Sequence, residues 1–415
     1  MAERGETAIG TRVAPPPGAG GRFDILANRD FRLLLTGNVG SQLAMWSQQL
    51  GVGWLIFELT GSFLLLSTVF AVTGGAMIFF APWGGVLADR YDWRKAIATT
   101  QGVMAMVALV LALLALSGSI RVWMLYPIVA VLSMFFALGT PSRQAIVPDL
   151  VPKDQLMQAI SMTSVTMNVM RILGPALGGI LLTLVGVEGA FFMQAIGYAW
   201  SATLASRISA RNTPTSGAFL RSMIEGVQYA RRKPEIQRLF FIAASFTVLA
   251  LSYNQLMAAY ASDVLDLGGG GFGLLMTAAG AGAFGSAVFL VFSNDDWSKG
   301  RVLLLSMVIS GALLMGLGIF GHAAVAFPLQ AALGLTTGLS MTLANVLLQI
   351  VVDDQYRGRV MSLYFLTFGL QPLGSLPAGA AAEFVGLQAT FAVQGAILVA
   401  MSLWLLVTST SLRRL

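Results

Sequence analysis

The stretch GGVLADRYDWRK, Gly84–Lys95, sets Asp89, Arg90, Asp92, Arg94 and Lys95 between two long runs that carry no charge. The run before it (63–88) and the run after it (96–120) are each long enough for a helix to cross a bilayer, which takes about 20 apolar residues. A charge at the centre of such a helix costs several kcal/mol, so charge-free intervals mark candidate crossings and charged clusters mark the loops between them. Read this way, 84–95 is a loop joining two crossings, and the same rule divides the rest of the chain.

The composition agrees. With 415 residues, 56% of them hydrophobic and 11% charged, and a mean hydropathy of +0.76, the chain has too little polar surface for a soluble globule of its size. The absence of cysteine excludes disulfides and thiolate chemistry, and a lone His322 leaves no metal site to expect and no cofactor to propose. A net charge of +6 would suit a nucleic-acid partner if it were clustered on a soluble face; here it lies in loops, where basic residues mark the cytoplasmic side of a membrane. Residues 1–30 are polar, carry Arg4, Arg12, Arg22 and Arg29 and the run Pro15-Pro16-Pro17-Gly18, and read as a disordered cytoplasmic tail without a cleavable signal.

The charge-free intervals are 33–57, 63–88, 96–120, 122–142, 155–187 (broken only by Arg171), 189–206, 239–262, 267–294, 302–352, 360–382 and 384–412. The interval 302–352 is too long for one crossing and is divided near Gly318, Gly321 and His322. An all-α integral membrane fold of twelve transmembrane helices follows. With the amino terminus inside, the cytoplasmic loops hold Arg90, Arg94, Lys95, Arg143, Lys153, the basic stretch from Arg207 to Arg238, Lys299, Arg301, Arg357, Arg359, Arg413 and Arg414; only Arg121 falls outside, among Glu58, Glu188, Asp263, Asp266 and Glu383. Both termini are expected in the cytoplasm, in a cell (inner) membrane.

Six crossings (31–206) precede and six (238–415) follow a polar linker, 207–237, in which Phe219, Leu220, Met223, Ile224 and Val227 recur at helical spacing and predict an amphipathic surface helix. RYDWRK after span two matches NDDWSKGR after span eight, and VPDLVPKDQ after span four matches VVDDQYRGR after span ten. Two matches at one offset indicate two six-helix bundles made by internal duplication, a recurring plan for transporters with a midplane site.

With this layout in hand, Gly85-Val86-Leu87-Ala88-Asp89-Arg90 followed by Arg94 and Lys95 resembles the loop signature of the major facilitator superfamily, G-x-L-A-D-R-x-G-R-K, with Asp92 and Trp93 departing from it. The resemblance implies that Asp89 meets the amino end of span eleven and, with Gly85, Arg90, Arg94, Arg357 and Arg359, latches the cytoplasmic side shut. The alternative is a cluster that only ends the span. A second stretch, from Gly139, holds Pro141, Arg143, Gln144, Ala145, Pro148, Leu150, Val151 and Pro152, then Asn168, Arg171, Gly174, Pro175, Gly178 and Gly179. It is similar to the branch of enterobactin exporters and macrolide efflux proteins, as are ELTGS at 58–62 and RGRVMSL at 357–363. In drug and proton antiporters a longer form of the Gly174-Pro175-x-x-Gly178-Gly179 motif occupies this span; here Met170 stands where an earlier glycine would be. Physically the glycines offer a flat helix-packing face, and a packing role and a transport role both fit.

Arg171 lies about 22 Å along span five at 1.5 Å per residue, near the membrane centre, where a guanidinium must face a wet cavity or find a partner. It either binds substrate or is tied to Glu58 and the polar groups of span one. Asn38, Gln42, Gln48, Gln49, Asn168, Tyr253, Asn254, Gln255, Asn345, Gln349 and Gln371, with Trp46 as aromatic company, are the remaining candidates for a substrate cavity, the polar groups each also able to serve as a helix-to-helix hydrogen bond. No carboxylate lies at the centre of a span, so Glu58 and Glu383 are the candidates for proton coupling. The spans hold no cluster of carboxylates, histidines or cysteines for catalysis, and no phosphate-binding loop for ATP.

The expected function is alternating-access transport with the proton gradient as driver: export of small amphipathic molecules of siderophore or drug type by a functional monomer whose partners are substrate, bilayer and protons. Movement of lipid-like substrates or siderophore uptake by the same fold, and a membrane sensor or scaffold that does not transport, are the alternatives.

Overall fold

The computed structural model describes residues 24–209, 219–293 and 298–409. Among them every regular element is helical, as lipid demands, since only a helix or a closed barrel satisfies its own backbone there. The tail before residue 24, the Trp297 side of the NDDWSKGR loop, and Arg413 and Arg414 lie outside the described residues, as do the side chains of Asp89 and Arg90.

The first half of the chain forms α1 (Arg29–Thr60), α2 (Phe63–Arg90), α3 (Trp93–Leu116), α4 (Val122–Ala145), α5 (Leu156–Leu184) and α6 (Val187–Ser206). A linker helix, Phe219–Arg232, follows. The second half forms α7 (Pro234–Val264), α8 (Gly269–Phe292), α9 (Lys299–Ile319), α10 (Ala323–Val351) and a helical stretch Arg357–Thr408. α7 thus begins inside the stretch read from the sequence as linker. Polar side chains start the helices: Asn28 Oδ1 accepts from the N–H groups of Asp30 and Phe31 (3.0 and 3.1 Å), and Asp92 Oδ1 accepts from Arg94 N–H (3.0 Å). Asp92, which departs from the family pattern, is therefore the N-cap of α3.

The stretch Arg357–Thr408 doubles back at Gly386, whose φ of 80° suits only glycine. Ser252 of α7 abuts Gly374 and accepts a hydrogen bond from Gln394 Nε2 (2.6 Å); on one straight helix those two positions would be about 30 Å apart. The two arms are α11 (357–385) and α12 (387–408).

By length and hydropathy nine helical segments among the described residues could cross a membrane, against the twelve counted from the sequence. The difference has a local cause. α1 carries Gln42, Gln48 and Gln49, and α6 carries Gln194 and Ser201, polar groups that lower mean hydropathy although Gln194 and Ser201 are buried; Arg357–Thr408 counts once.

α1 packs on α5 and α6, α2 on α4, and α3 on α4 and α6; in the second half α8 packs on α10, and α9 on α10 and α12. Adding six to α2–α4, α3–α4 and α3–α6 gives the three pairs named in the second half. Between the halves, α5 meets α8 and α2 meets α11. The α5–α8 crossing is backbone on backbone, since a Cβ on Gly179 would lie 2.6 Å from Gly273 Cα.

The apolar cores show where the halves join. At the end remote from the linker one cluster, including Leu50, Ile56, Phe57, Phe191, Tyr253, Tyr260, Phe272 and Phe391, spans both halves. Toward the linker the clusters separate: one holds Ile25, Phe31, Ile97 and Leu150 of the first half, another Ile236, Leu304, Leu347 and Leu405 of the second. The linker helix belongs with the second half. Tyr229 stacks on Tyr356 (4.1 Å between ring centroids), Glu225 pairs with Arg359 (2.9 Å), and Lys233 pairs with Asp353 (2.9 Å).

Candidate functional site

Because the cores separate toward the linker, a chamber of about 680 Å³ opens between the halves there. Each wall is one helix face at three- or four-residue spacing. α1 contributes Asn38, Ser41 and Gln42; α4 contributes Phe136, Thr140 and Arg143; α5 contributes Ile160, Thr163, Ser164 and Met167; α10 contributes Asn345 and Gln349; α11 contributes Arg357, Met361 and Phe365. Gln349 Nε2 donates to Asn345 Oδ1 (2.5 Å). Among the described residues that line it, none is acidic.

Above Phe136 lies a second chamber, about 200 Å³, lined by both halves. Its polar groups are mostly carboxamides: Gln48 and Gln49 of α1, Asn254 and Gln255 of α7, and Gln371 of α11, with Thr73, Ser133 and Tyr198. Gln48 Oε1 accepts from Gln194 Nε2 (3.1 Å) and Tyr198 OH (3.3 Å), and Gln255 Nε2 donates to Gln371 Oε1 (3.4 Å) across two helices. α7 is irregular here, with a π-helical turn at Thr247–Leu251, a 3-10 turn at Ser252–Leu256 and a further π turn at Tyr260–Val264. Such turns free carbonyls from the helical ladder. Leu251 O accepts from both Asn254 Nδ2 (3.3 Å) and Gln371 Nε2 (3.4 Å).

Beyond the second chamber the molecule is shut. Tyr253 OH donates to Gln330 Oε1 (3.4 Å), Tyr260 OH to Leu317 O (2.8 Å), and Phe391 lies against both rings. Glu383 of α11 accepts from Ser62 Oγ (2.6 Å) and Leu64 N–H (3.0 Å) at the start of α2.

Of the residues singled out from the sequence, Gln42, Asn345 and Gln349 line the first chamber and Gln49, Asn254 and Gln371 the second. Four others are placed differently. Trp46 packs its indole on Gly174, and its buried Nε1 has no hydrogen-bond partner among the described residues. Tyr253 sits in the shared core. Asn168 Nδ2 bonds back to Ser164 O of its own helix (2.9 Å) rather than joining a network with Arg171. Arg171 is one turn beyond Met167, close to Tyr253, and no ion pair ties it to Glu58, which is exposed at the end of α1. Gly178 seats Leu50, and Gly179 and Pro175 meet Gly273. In the loops, Gly85 is buried, Arg94 Nη1 donates to Ile208 O (3.1 Å), and Arg359 binds Glu225, so in this conformation both arginines bond within their own side of the molecule and Arg357 faces the chamber.

Sequence reading missed Arg143. It closes the interval 122–142 and so looks like a loop cation, but α4 runs on to Ala145 and carries Arg143 into the wall. Its Nη1 donates to Ser41 Oγ (2.5 Å) and its Nη2, at 3.4 Å, to Thr140 Oγ1, with the guanidinium 5.3 Å from the Phe136 ring centre. The i, i+4, i+7 spacing of Phe136, Thr140 and Arg143 was the available signal.

The sequence profile of the transmembrane secretion effectors matches residues 21–414, and the chain belongs to that family of the major facilitator superfamily. It is 26% identical over 356 residues to the staphyloferrin A transporter of Staphylococcus aureus, covering 85% of this chain and 89% of that one. It is 22% identical over 389 residues to macrolide efflux protein A of Streptococcus pyogenes, covering 90% and 94%. The fold is similar to that of a POT family transporter solved with a thioalcohol-conjugated peptide, with a TM-score of 0.76 at 12% identity over 92% of this chain and 96% of that one.

Proposed function

We propose that this membrane transporter works by alternating access and uses the proton gradient to export small amphipathic molecules of siderophore or drug type. Its twelve crossings form two six-helix bundles, one before residue 207 and one from Pro234 onward, joined by the linker between them, with both termini in the cytoplasm. The supporting observation is a chamber between the halves that is open on the linker side and shut on the other by Glu383 and a shared apolar core. That is the inward-open arm of a rocking cycle.

In the opposite arm the halves close on the linker side, and Asp89 with its loop supplies the latch. The polar lining of chambers with apolar walls suits an amphipathic cargo. Names of relatives support a transport role for small molecules: one is a staphyloferrin A transporter and one a macrolide efflux protein. Glu383 is the carboxylate best placed to read external protons, since its protonation would take the charge from the bonds that hold α2 to α11 and so weaken them; Glu58 is exposed.

The test is accumulation of a fluorescent drug in cells expressing the protein. Export requires less accumulation than in control cells and loss of the difference when the gradient is collapsed. More accumulation would mean uptake, and no difference with any siderophore or drug would reject the reading. Asp89→Asn should slow the flux while leaving membrane insertion intact.

A further inference from the structure

We infer that the first chamber is built for an organic anion, with Arg143 as the group that holds its carboxylate. The inference rests on the transport reading above and names the class of cargo that site accepts.

A guanidinium carries five N–H donors in a planar fork. Among the described residues Arg143 spends two contacts on neutral hydroxyls, one short to Ser41 Oγ (2.5 Å) and one long to Thr140 Oγ1 (3.4 Å). Neither cancels its charge. Among the described residues no carboxylate lines the chamber and no ion pair includes Arg143. Arg143 is half-buried in the chamber wall, and a cation set between low-dielectric walls without a counter-charge draws an anion in. The neighbours fix the geometry: Ser41 anchors one edge of the fork, and the Phe136 ring 5.3 Å away flanks the cation. Two of its five N–H groups are taken in this way among the described residues, which leaves donors for a carboxylate.

The rest of the wall fits the other end of such a molecule. Phe136, Ile160, Met167, Met361 and Phe365 supply an apolar surface, and about 680 Å³ accommodates a drug-sized body. A carboxylate at Arg143 with an aromatic body against these side chains uses both parts of the chamber. A cationic amphipath would meet Arg143 with like charge and no acid to offset it.

Fluorescein and its methyl ester, which differ at the carboxylate, test this by fluorescence anisotropy on the full chain in lipid nanodiscs, with empty nanodiscs as blank. The wild type should bind fluorescein about tenfold more tightly than the ester, a charge-assisted bidentate pair being the difference. Arg143→Gln should remove the preference and Arg143→Lys keep part of it. As a second variant, Gln42→Glu leaves Arg143 in place but puts an anion into the same chamber; it too should lose the preference while keeping the wild-type melting temperature. Equal affinity for the two dyes, binding of neither, or an unchanged preference in Arg143→Gln overturns the proposal. Flux in proteoliposomes separates the two levels. Binding of fluorescein without flux of either dye leaves the anion site standing and removes the transport reading, whereas flux of the ester alone keeps transport and removes the anion site.

Discussion

Glu383 and Ser62 lie 321 residues apart and are joined by a hydrogen bond of 2.6 Å. The same carboxylate oxygen accepts from Leu64 N–H, so a side chain of α11 caps the free donors at the start of α2 and stitches the two halves at the shut end.

Glu383→Gln should loosen that end. The capping bonds are charge-assisted but solvent-exposed, so about 1 kcal/mol is at stake, roughly a fivefold shift toward the state open on that side. The chain has no cysteine, so Asn254→Cys is a clean reporter in the second chamber. Its maleimide labelling from the outside should accelerate in the Glu383→Gln background; an unchanged rate would show that the cap does not govern opening.

Gly273→Val should separate α5 from α8. Its backbone faces that of Gly179, and forcing side-chain volume into a filled crossing costs about 1–3 kcal/mol. The melting temperature should fall, while Gly102→Val, at a glycine with open space around it, should leave it close to wild type.

Arg171→Met is expected to raise or preserve the melting temperature and to lower transport. No ion pair satisfies this cation among the described residues, and a charge at mid-membrane is a cost that an apolar side chain of similar length removes. A clear drop in melting temperature would instead establish a structural partner.

The linker clasp should depend on pH in a definite direction. Hydrogen bonds from Lys233 and with Tyr229 lower the Asp353 carboxyl from its ordinary 3.8. Bonds to Tyr229 and Asp353 raise the Lys233 ammonium from its ordinary 10.5. The Asp353 contribution is present above 3.8 and is lost as pH falls through its lowered value; the Lys233 contribution is present below 10.5 and is lost as pH rises through its raised value. Hydrogen exchange in the linker helix, corrected for intrinsic rate, should therefore show protection constant between those limits and falling only outside them. Tyr356→Ala, which removes the stacked ring, should reduce protection throughout; equal protection would mean that the stack does not anchor the helix.

Much of the architecture is readable because lipid punishes charge. The break near His322 and the linker helix follow from where charges are absent or periodic, whereas the charged stretch 84–95 is mostly helix, with only Tyr91 and Asp92 between α2 and α3. Polar residues inside apolar runs located Gln42, Gln49, Asn254, Asn345, Gln349 and Gln371 for the same reason. Tyr253 obeys the same pattern but turns its ring into the shared core, because a phenol can bury its face and satisfy one hydroxyl on Gln330. Arg143 was hidden by its position, one residue past a charge-free interval, where loop and helix end look alike. Glu383 carries no local mark of its role, since a cap supplied from 321 residues away leaves no spacing to find.

Arg94 fastens the carbonyl of Ile208 to the first half, while Tyr229, Glu225 and Lys233 fasten the linker helix to the second. The linker helix is thus a rider on the second half, and cutting its bonds to Tyr356, Arg359 and Asp353 would set it loose while leaving the lining of the first chamber as it is.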